Sequence, residues 1–450
     1  MSSSGEEWME EELGPIRKRI QGYFGDSKNF KLDRFLGKGV TAHAWLIRHR
    51  KQEKDPWQKL VLKTPAYVEG SLREQQFANG PEGVTEFHEE AGLLKLIRTR
   101  HLVRLIDFCG QDPLNQNGAR NYFGNWIYLE YLENGNLAEF LEKCEAHSIP
   151  YVPNRLLWRM FLCMIRACIA MAYIPPGDPV DRYDQNEEPC EDSKGSYTHV
   201  DMHSKNIMLG ALLGDPDDLE HAISPPVKFI DLDNHVLFDG GEGEGVQENV
   251  FHVGANMAQV ILRDDEACLD TLEAYEDDDT DPVQLRLPGK PTFQTYAEKM
   301  LPNDDTDFTM PRPELDPDLR FLICLCCAAR KETRPRLADQ LLPWVLAAVR
   351  QRDAAYYDRT PYCDGEEETD ECILLFLQTV LGAAPPPAKG EGGGPESMDI
   401  DDSGPGTSRS GKLKTRDARE TSPRPLTTDP QDRFRQRSPL TDRDDKMDLG

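Results

Sequence analysis

The sequence has no apolar run of the roughly 20 residues that a membrane-crossing helix needs. Residues 158–174 come nearest, and Arg159 and Arg166 interrupt them, so no membrane span is expected. The opening Met1-Ser2-Ser3-Ser4-Gly5-Glu6-Glu7 has no apolar stretch either, and no secretory leader is expected. Basic charge is the scarcer sign: 52 Lys and Arg stand against 80 Asp and Glu, for a net charge of −28. Nucleic acid and anionic membrane both repel such a chain, which argues against general nucleic-acid binding. There is no internal repeat, and the Cys324–Cys327 cluster has no His or second Cys pair at zinc spacing beside it. Cys324, Cys326 and Cys327 crowd together, but in an apolar helical run, and are expected as buried packing. Without an export signal the eleven cysteines are expected as reduced thiols in an intracellular compartment, cytoplasmic or nuclear. At 38% the hydrophobic fraction is low for a wholly globular chain, which implies disordered parts.

What is present falls into blocks. Residues 1–29 are a charged extension with one amphipathic helix expected at 8–23. Period-two patterning marks strands at 32–36, 44–47, 60–63, 103–108 and 126–130, with a helix at 86–97. Helices are expected at 137–144, 154–173, 251–262, 319–329 and 337–350. Acidic or Pro-rich insertions at 175–196, 264–282 and 302–317 are expected as surface loops. Residues 351–382 form an extension with a last helix at 371–381. Residues 383–450 are Gly-, Ser- and Pro-rich and are expected as disordered tail. That tail turns basic at 409–437 and carries Ser422-Pro423 and Ser438-Pro439, candidate sites for proline-directed phosphorylation.

Five motifs carry chemistry. Leu36-Gly37-Lys38-Gly39-Val40-Thr41-Ala42 lies between two expected strands, where glycines let backbone N–H groups approach phosphates. Val61-Leu62-Lys63 ends a strand, and Glu90 on the following helix is its expected partner, with Glu89 and Glu86 as neighbours in reach. His199-Val200-Asp201-Met202-His203-Ser204-Lys205-Asn206 sets an Asp five residues before an Asn, and Val227-Lys228-Phe229-Ile230-Asp231 is an apolar strand ending in Asp. Leu129-Glu130-Tyr131-Leu132-Glu133-Asn134-Gly135-Asn136 joins the strand-rich part to the helical part.

In this order the motifs resemble the Gly-rich loop, strand Lys, hinge, catalytic loop and Asp-Phe-Gly segment of the protein kinase superfamily. The likeness is to divergent kinase-like proteins of the kind common in filamentous fungi. It implies an α+β, bilobal kinase-like fold at 30–350. A β-rich N-lobe with one helix would occupy 30–130 and a mainly helical C-lobe 137–350. It implies that Gly37, Gly39 and Lys63 contact ATP phosphates and that Glu90 orients Lys63. Glu130 and Leu132 would meet adenine through the backbone, with Asn136 near the ribose. Asp201 would orient or deprotonate an acceptor hydroxyl, while Asn206 and Asp231 hold Mg2+. The implied function is transfer of the ATP γ-phosphoryl group to Ser or Thr of proteins. Nucleotide-binding scaffold without turnover and small-molecule kinase are the alternatives.

Departures from the pattern keep those alternatives open. Val200 replaces the usual Arg, and Leu232-Asp233 replaces Phe-Gly, so Asp233 is either a second metal carboxylate or a solvated residue. No Ser, Thr or Tyr lies between Asp231 and Asn249, and there is no Ala-Pro-Glu, so switching by phosphorylation of that segment is excluded. His203, with Ile230-Asp231-Leu232-Asp233, is similar to aminoglycoside and choline phosphotransferases, which fits a cationic small-molecule acceptor. Arg334-Pro335 resembles the Arg that closes a kinase C-lobe, here without its usual glutamate.

Overall fold

The computed structural model describes residues 3–25, 27–39, 42–65, 82–106, 126–174, 182–190, 196–215, 217–232, 235–238, 243–264, 271–272, 275, 281–302 and 309–382. Val40 and Thr41, Phe108, Asp233, both Ser-Pro dipeptides and the basic tail lie outside the described residues.

The fold is mixed α+β. Strands β1 (Phe30–Lys38), β2 (Ala42–His49), β3 (Gln58–Pro65) and β4 (Ile127–Glu130) form one antiparallel sheet in that order. The expected strand at 103–108 is not a full ladder member: over its described residues Leu105 bridges Leu129, and Leu102 just before it bridges Phe229. Alternation along β2 and β3 turns Trp45, Ile47, Leu60 and Leu62 to one face, all at most 2% exposed. Helix α1 (Ser3–Phe24) covers that face with Leu13, Ile16, Ile20 and Phe24, an apolar stripe at helical spacing. The N-terminal extension is thus sewn into the sheet's own core, and each large side chain so buried contributes about 1.5–3 kcal/mol.

The second core surrounds a central helix. Helices α2 (Glu82–Ile97), α3 (Leu137–Ala146), α4 (Asn154–Ala172), α5 (Glu244–Leu262), α6 (Pro317–Cys326), α7 (Leu342–Gln351), α8 (Ala354–Tyr357) and α9 (Asp370–Leu381) follow in order. Every residue of α4 is buried, three arginines included, as expected of a helix packed on all sides. Its first N–H groups have no side-chain cap from the preceding Pro153. Instead Glu368, fully buried, accepts from the N–H of Asn154 (2.6 Å) and of Arg155 (2.9 Å). The carboxylate sits at the positive end of the helix dipole and ties the C-terminal extension to the helical body.

Three of the differences from the expected boundaries have a local physical reason. Helix α5 begins at Glu244, seven residues before the expected 251, because Val246 and Val250 extend the buried stripe and Glu244 favours the N-terminal turn. The helix expected at 337–350 is a π turn, Leu337–Leu341, running into α7. Pro343 lacks an N–H and crowds the preceding turn, which accounts for the wider register. Helix α6 is shorter than 319–329 predicts. It starts with Asp316 as its cap and Pro317 in its first turn. Cys324, Cys326 and Cys327 are fully buried.

Short antiparallel pairs position the candidate site: β5 (Ser196–His199) with β8 (His235–Phe238), and β6 (Ile207–Leu209) with β7 (Val227–Phe229). A further small hairpin pairs β9 (Val283–Gln284) with β10 (Gln294–Thr295). The insertion at 175–196 is not purely superficial, since its Glu187 is only 6% exposed. Among the described residues no helix is long and apolar enough to cross a membrane.

Candidate functional site

Lys63 stands near the end of β3, two strands from Gly37 on one cross-strand row: Gly37 pairs with Ala44, and Ala44 with Lys63. Its ammonium meets Glu90 Oε2 at 2.7 Å, deep enough that Glu90 is fully buried, while Glu89 is exposed. The helix register thereby chooses Glu90 over its neighbour; the side chain of Glu86 lies outside the described residues. The same Nζ also pairs with Asp231 Oδ1. Residues 27 and 168 positions from Lys63 in sequence thus converge on one ammonium.

Asp231 leaves β7 with φ +63°, the left-handed region that a non-glycine residue enters at a cost. Neighbours hold it there. His199 Nε2 lies 3.0 Å from the Ile230 carbonyl, and the Ile230 N–H donates to the Asn206 carbonyl at 3.0 Å. The β6–β7 pair, with Ile207 opposite Phe229, therefore brings Asn206 and Asp231 to one end of the ladder.

The turn between β5 and β6 is organised around Asn206. Its Nδ2 donates to the Asp201 carbonyl (3.0 Å) and to Asp201 Oδ2 (3.3 Å), which leaves Oδ1 as the acceptor of this amide. His203 caps the short 3-10 turn Ser204–Asn206, its Nδ1 accepting from the Lys205 N–H at 3.2 Å. That fixes the ring proton on Nε2, which faces Asp201 Oδ1 at 3.4 Å. The Asp201 side chain is 47% exposed, so it sits at an open surface with one carboxylate oxygen against Asn206 and the other against His203. An amide oxygen and a carboxylate are the hard donors that suit magnesium, so Asn206 and Asp231 fit that ion by chemistry.

Helix α5 supports this turn from behind. Asn249 accepts from the His199 N–H (3.0 Å) and donates to the Tyr197 carbonyl (2.8 Å). Asn256 donates to the Met202 carbonyl at 2.9 Å and Gln259 to Ser204 Oγ at 3.4 Å. These polar residues at i, i+7 and i+10 share one face of an otherwise apolar helix. That spacing was the available signal for Asn256 and Gln259, which the motif reading passed over.

The other residues singled out by the motifs have these protein contacts. Gly39 closes the β1–β2 turn by donating to the Ala42 carbonyl at 2.8 Å. A Cβ built on Gly37 meets nothing within 4 Å, so no protein atom demands glycine there. The Glu130 N–H is already donated to the Arg104 carbonyl (3.0 Å), so it is not open to a ligand; the Glu130 side chain pairs with Lys228 at 2.5 Å. Leu132 is buried. Asn136 is occupied as the cap of α3, its side chain accepting from the Glu139 N–H at 2.9 Å, a structural role where a ribose contact was expected. Val200, in the position where an Arg was expected, is half exposed.

The acid partner of Arg334 is Glu248. Arg334 lies over the rings of Phe251 and Tyr275, donates to the Gln247 carbonyl at 2.9 Å and comes within 3.8 Å of Glu248 Oε2. Glu248 also pairs with Lys331 (2.6 Å) and accepts from Tyr275 Oη (2.9 Å). Burial by itself would raise this carboxyl, but those hydrogen bonds and charges outweigh it and hold the group below its ordinary value.

No protein-family model matches the chain, and no curated protein matches it.

Proposed function

We propose that the chain is a divergent member of the protein kinase superfamily, with a bilobal kinase-like fold, that binds Mg-ATP and transfers its γ-phosphoryl group to a hydroxyl. The observation that carries this reading is the convergence of Lys63, Glu90 and Asp231 on one ion-paired centre beside the Asp201–Asn206 turn. Each of these residues was expected at the site from motif order alone.

Lys63, held by Glu90, offers a cation to the α- and β-phosphates, which would compete with Asp231 for it. The open space above Gly37 suits close approach of phosphate to backbone. Asn206 Oδ1 and the Asp231 carboxylate would hold magnesium, which when bound neutralises charge on the phosphates. Asp201 accepts the proton of the acceptor hydroxyl, its carboxylate steered by Asn206 and His203. Ser or Thr of a protein is the acceptor this reading favours.

A second reading rests on the segment after Asp231. Only residues 232–243 precede α5, and β8 within them is committed to pairing with β5, which leaves little backbone to build a peptide platform. That favours a small cationic acceptor at the acidic surface, or nucleotide binding without turnover.

One experiment separates these readings: transfer from labelled Mg-ATP by wild type and Asp201→Ala, offered mixed peptides and a panel of cationic metabolites. The expected result is peptide labelling that falls at least about 100-fold in the variant. Labelled metabolite moves the assignment to small-molecule kinase. Nucleotide binding with no transfer, or transfer unchanged in Asp201→Ala, refutes the catalytic reading.

A further inference from the structure

Behind the strand that delivers Asp231 lies a second cluster that no motif announced. His101 follows α2 and accepts the Phe229 N–H on its carbonyl at 3.0 Å; Cys163 is on α4; His221 lies in the loop before β7. All three are at most 2% exposed, and their ligand-capable atoms lie within 4.8 Å of one another. We propose that His101 Nε2, Cys163 Sγ and His221 Nε2 form a buried binding site for one divalent cation of the zinc class. This site is separate from the Lys63–Asp231 centre and does not rest on the phosphotransfer reading.

The proton positions make the case. His101 Nδ1 faces Glu187 Oε2 at 2.5 Å, and His221 Nδ1 faces Asp218 Oδ2 at 3.1 Å. A carboxylate only accepts, so each ring carries its proton on Nδ1. With Nδ1 so committed on each ring, the two Nε2 atoms are the ones that can ligate; they lie 3.1 Å apart, with Cys163 Sγ 3.4 Å from that of His221. Two imidazole nitrogens and a thiol that converge in a dry interior need positive charge between them, which a shared proton supplies to the nitrogens alone and a bound cation supplies to all three. Zinc bonds of about 2.0–2.1 Å to nitrogen and 2.3 Å to sulfur set tetrahedral ligand atoms about 3.3–3.6 Å apart, close to the spacing found.

The surroundings fit as well. A carboxylate on the far nitrogen of each ligating histidine is the arrangement that fixes ring orientation and raises basicity in metal sites. Glu187 is itself held, accepting also from the His101 N–H at 2.9 Å. Charge follows the same logic. Glu187, Asp218, Glu220 and the more exposed Glu188 stand against two guanidinium groups, Arg100 on Asp218 and Arg166 on Glu220 and Glu188. The cluster is net negative even before Cys163 gives up its proton, which favours a divalent cation. Sulfur and imidazole donors select a borderline-soft ion over magnesium or calcium. Binding releases the thiol proton and clamps three segments 58 to 120 positions apart in sequence, so the ion stabilises the folded state.

The test uses the full chain, purified without added metal, with bound metal measured by mass spectrometry. Chelator-stripped protein is then titrated with Co2+. About one zinc per chain is expected, with thiolate-to-cobalt charge-transfer absorption on titration. Cys163→Ser is expected to lose that absorption, and Glu187→Gln to keep it with affinity about 10- to 100-fold weaker. Should the Ser variant not fold, the wild-type cobalt spectrum decides alone. Less than about 0.1 zinc per chain with no charge-transfer band in stripped wild type overturns the proposal. Undiminished metal binding by folded Cys163→Ser does so too.

Discussion

Asp231 offers a test in which backbone strain and chemistry separate. Its φ of +63° is left-handed, and its side chain, 31% exposed, pairs with Lys63. Replacing it by Gly, Asn or Ala removes the same carboxylate, so loss of the ion pair is common to all three. That shared cost is about 1 kcal/mol, because the pair is partly solvated and Lys63 keeps Glu90. The three differ in backbone. Ala meets the left-handed penalty of about 1–2 kcal/mol, which Gly escapes and Asn largely escapes. Gly loses about 0.4–1 kcal/mol of that advantage to greater freedom in the unfolded chain. The net order is Gly and Asn above Ala by about 1 kcal/mol. In a folded unit of this size that is a Tm difference of about 1–2 °C, resolvable by differential scanning fluorimetry. Transfer from Mg-ATP should be lost equally in all three. An Ala variant as stable as the Gly variant would refute the strain argument. A Gly variant that still transfers phosphate would refute the role given to the carboxylate.

Asp316 is fully buried and joins Trp158 Nε1 (3.2 Å), Tyr357 Oη (2.9 Å) and Arg352, while capping α6. Asp316→Ala strands the Arg352 charge and should cost about 3–5 kcal/mol, read as a lowered urea midpoint. Glu248→Gln should lower the Tm at pH 7 by the equivalent of about 1–2 kcal/mol. Because the folded-state carboxyl is held below 4.5, wild type's advantage is complete above that pH and disappears as pH falls through the depressed value. A gap between the two proteins that persists at low pH would contradict this assignment.

Order and type of most elements were legible in the sequence because they rest on local physics: alternation gave β1–β3, and three-to-four spacing gave α3, α4 and α9. That Lys63 meets Asp231 beside the Asp201–Asn206 turn was legible too, because the motif order places these residues at one strand end and in one loop. What failed to read locally depended on distant partners. Glu90 was expected beside Lys63 from motif distance, yet what keeps the adjacent Glu89 out is the packed face of α2. The Glu130 N–H goes to the Arg104 carbonyl, while Asn136 caps its helix through the Glu139 N–H, a local signal that the motif reading passed over. The His101, Cys163 and His221 cluster is the extreme case. Its members sit on three separate segments with no motif spacing, and the acidic loop holding Glu187 reads as solvated surface. Sequence set the periodicities and the short-range chemistry. Tertiary structure alone decided which buried charges and lone pairs face one another, because their energies depend on distance in space, which the linear order does not contain.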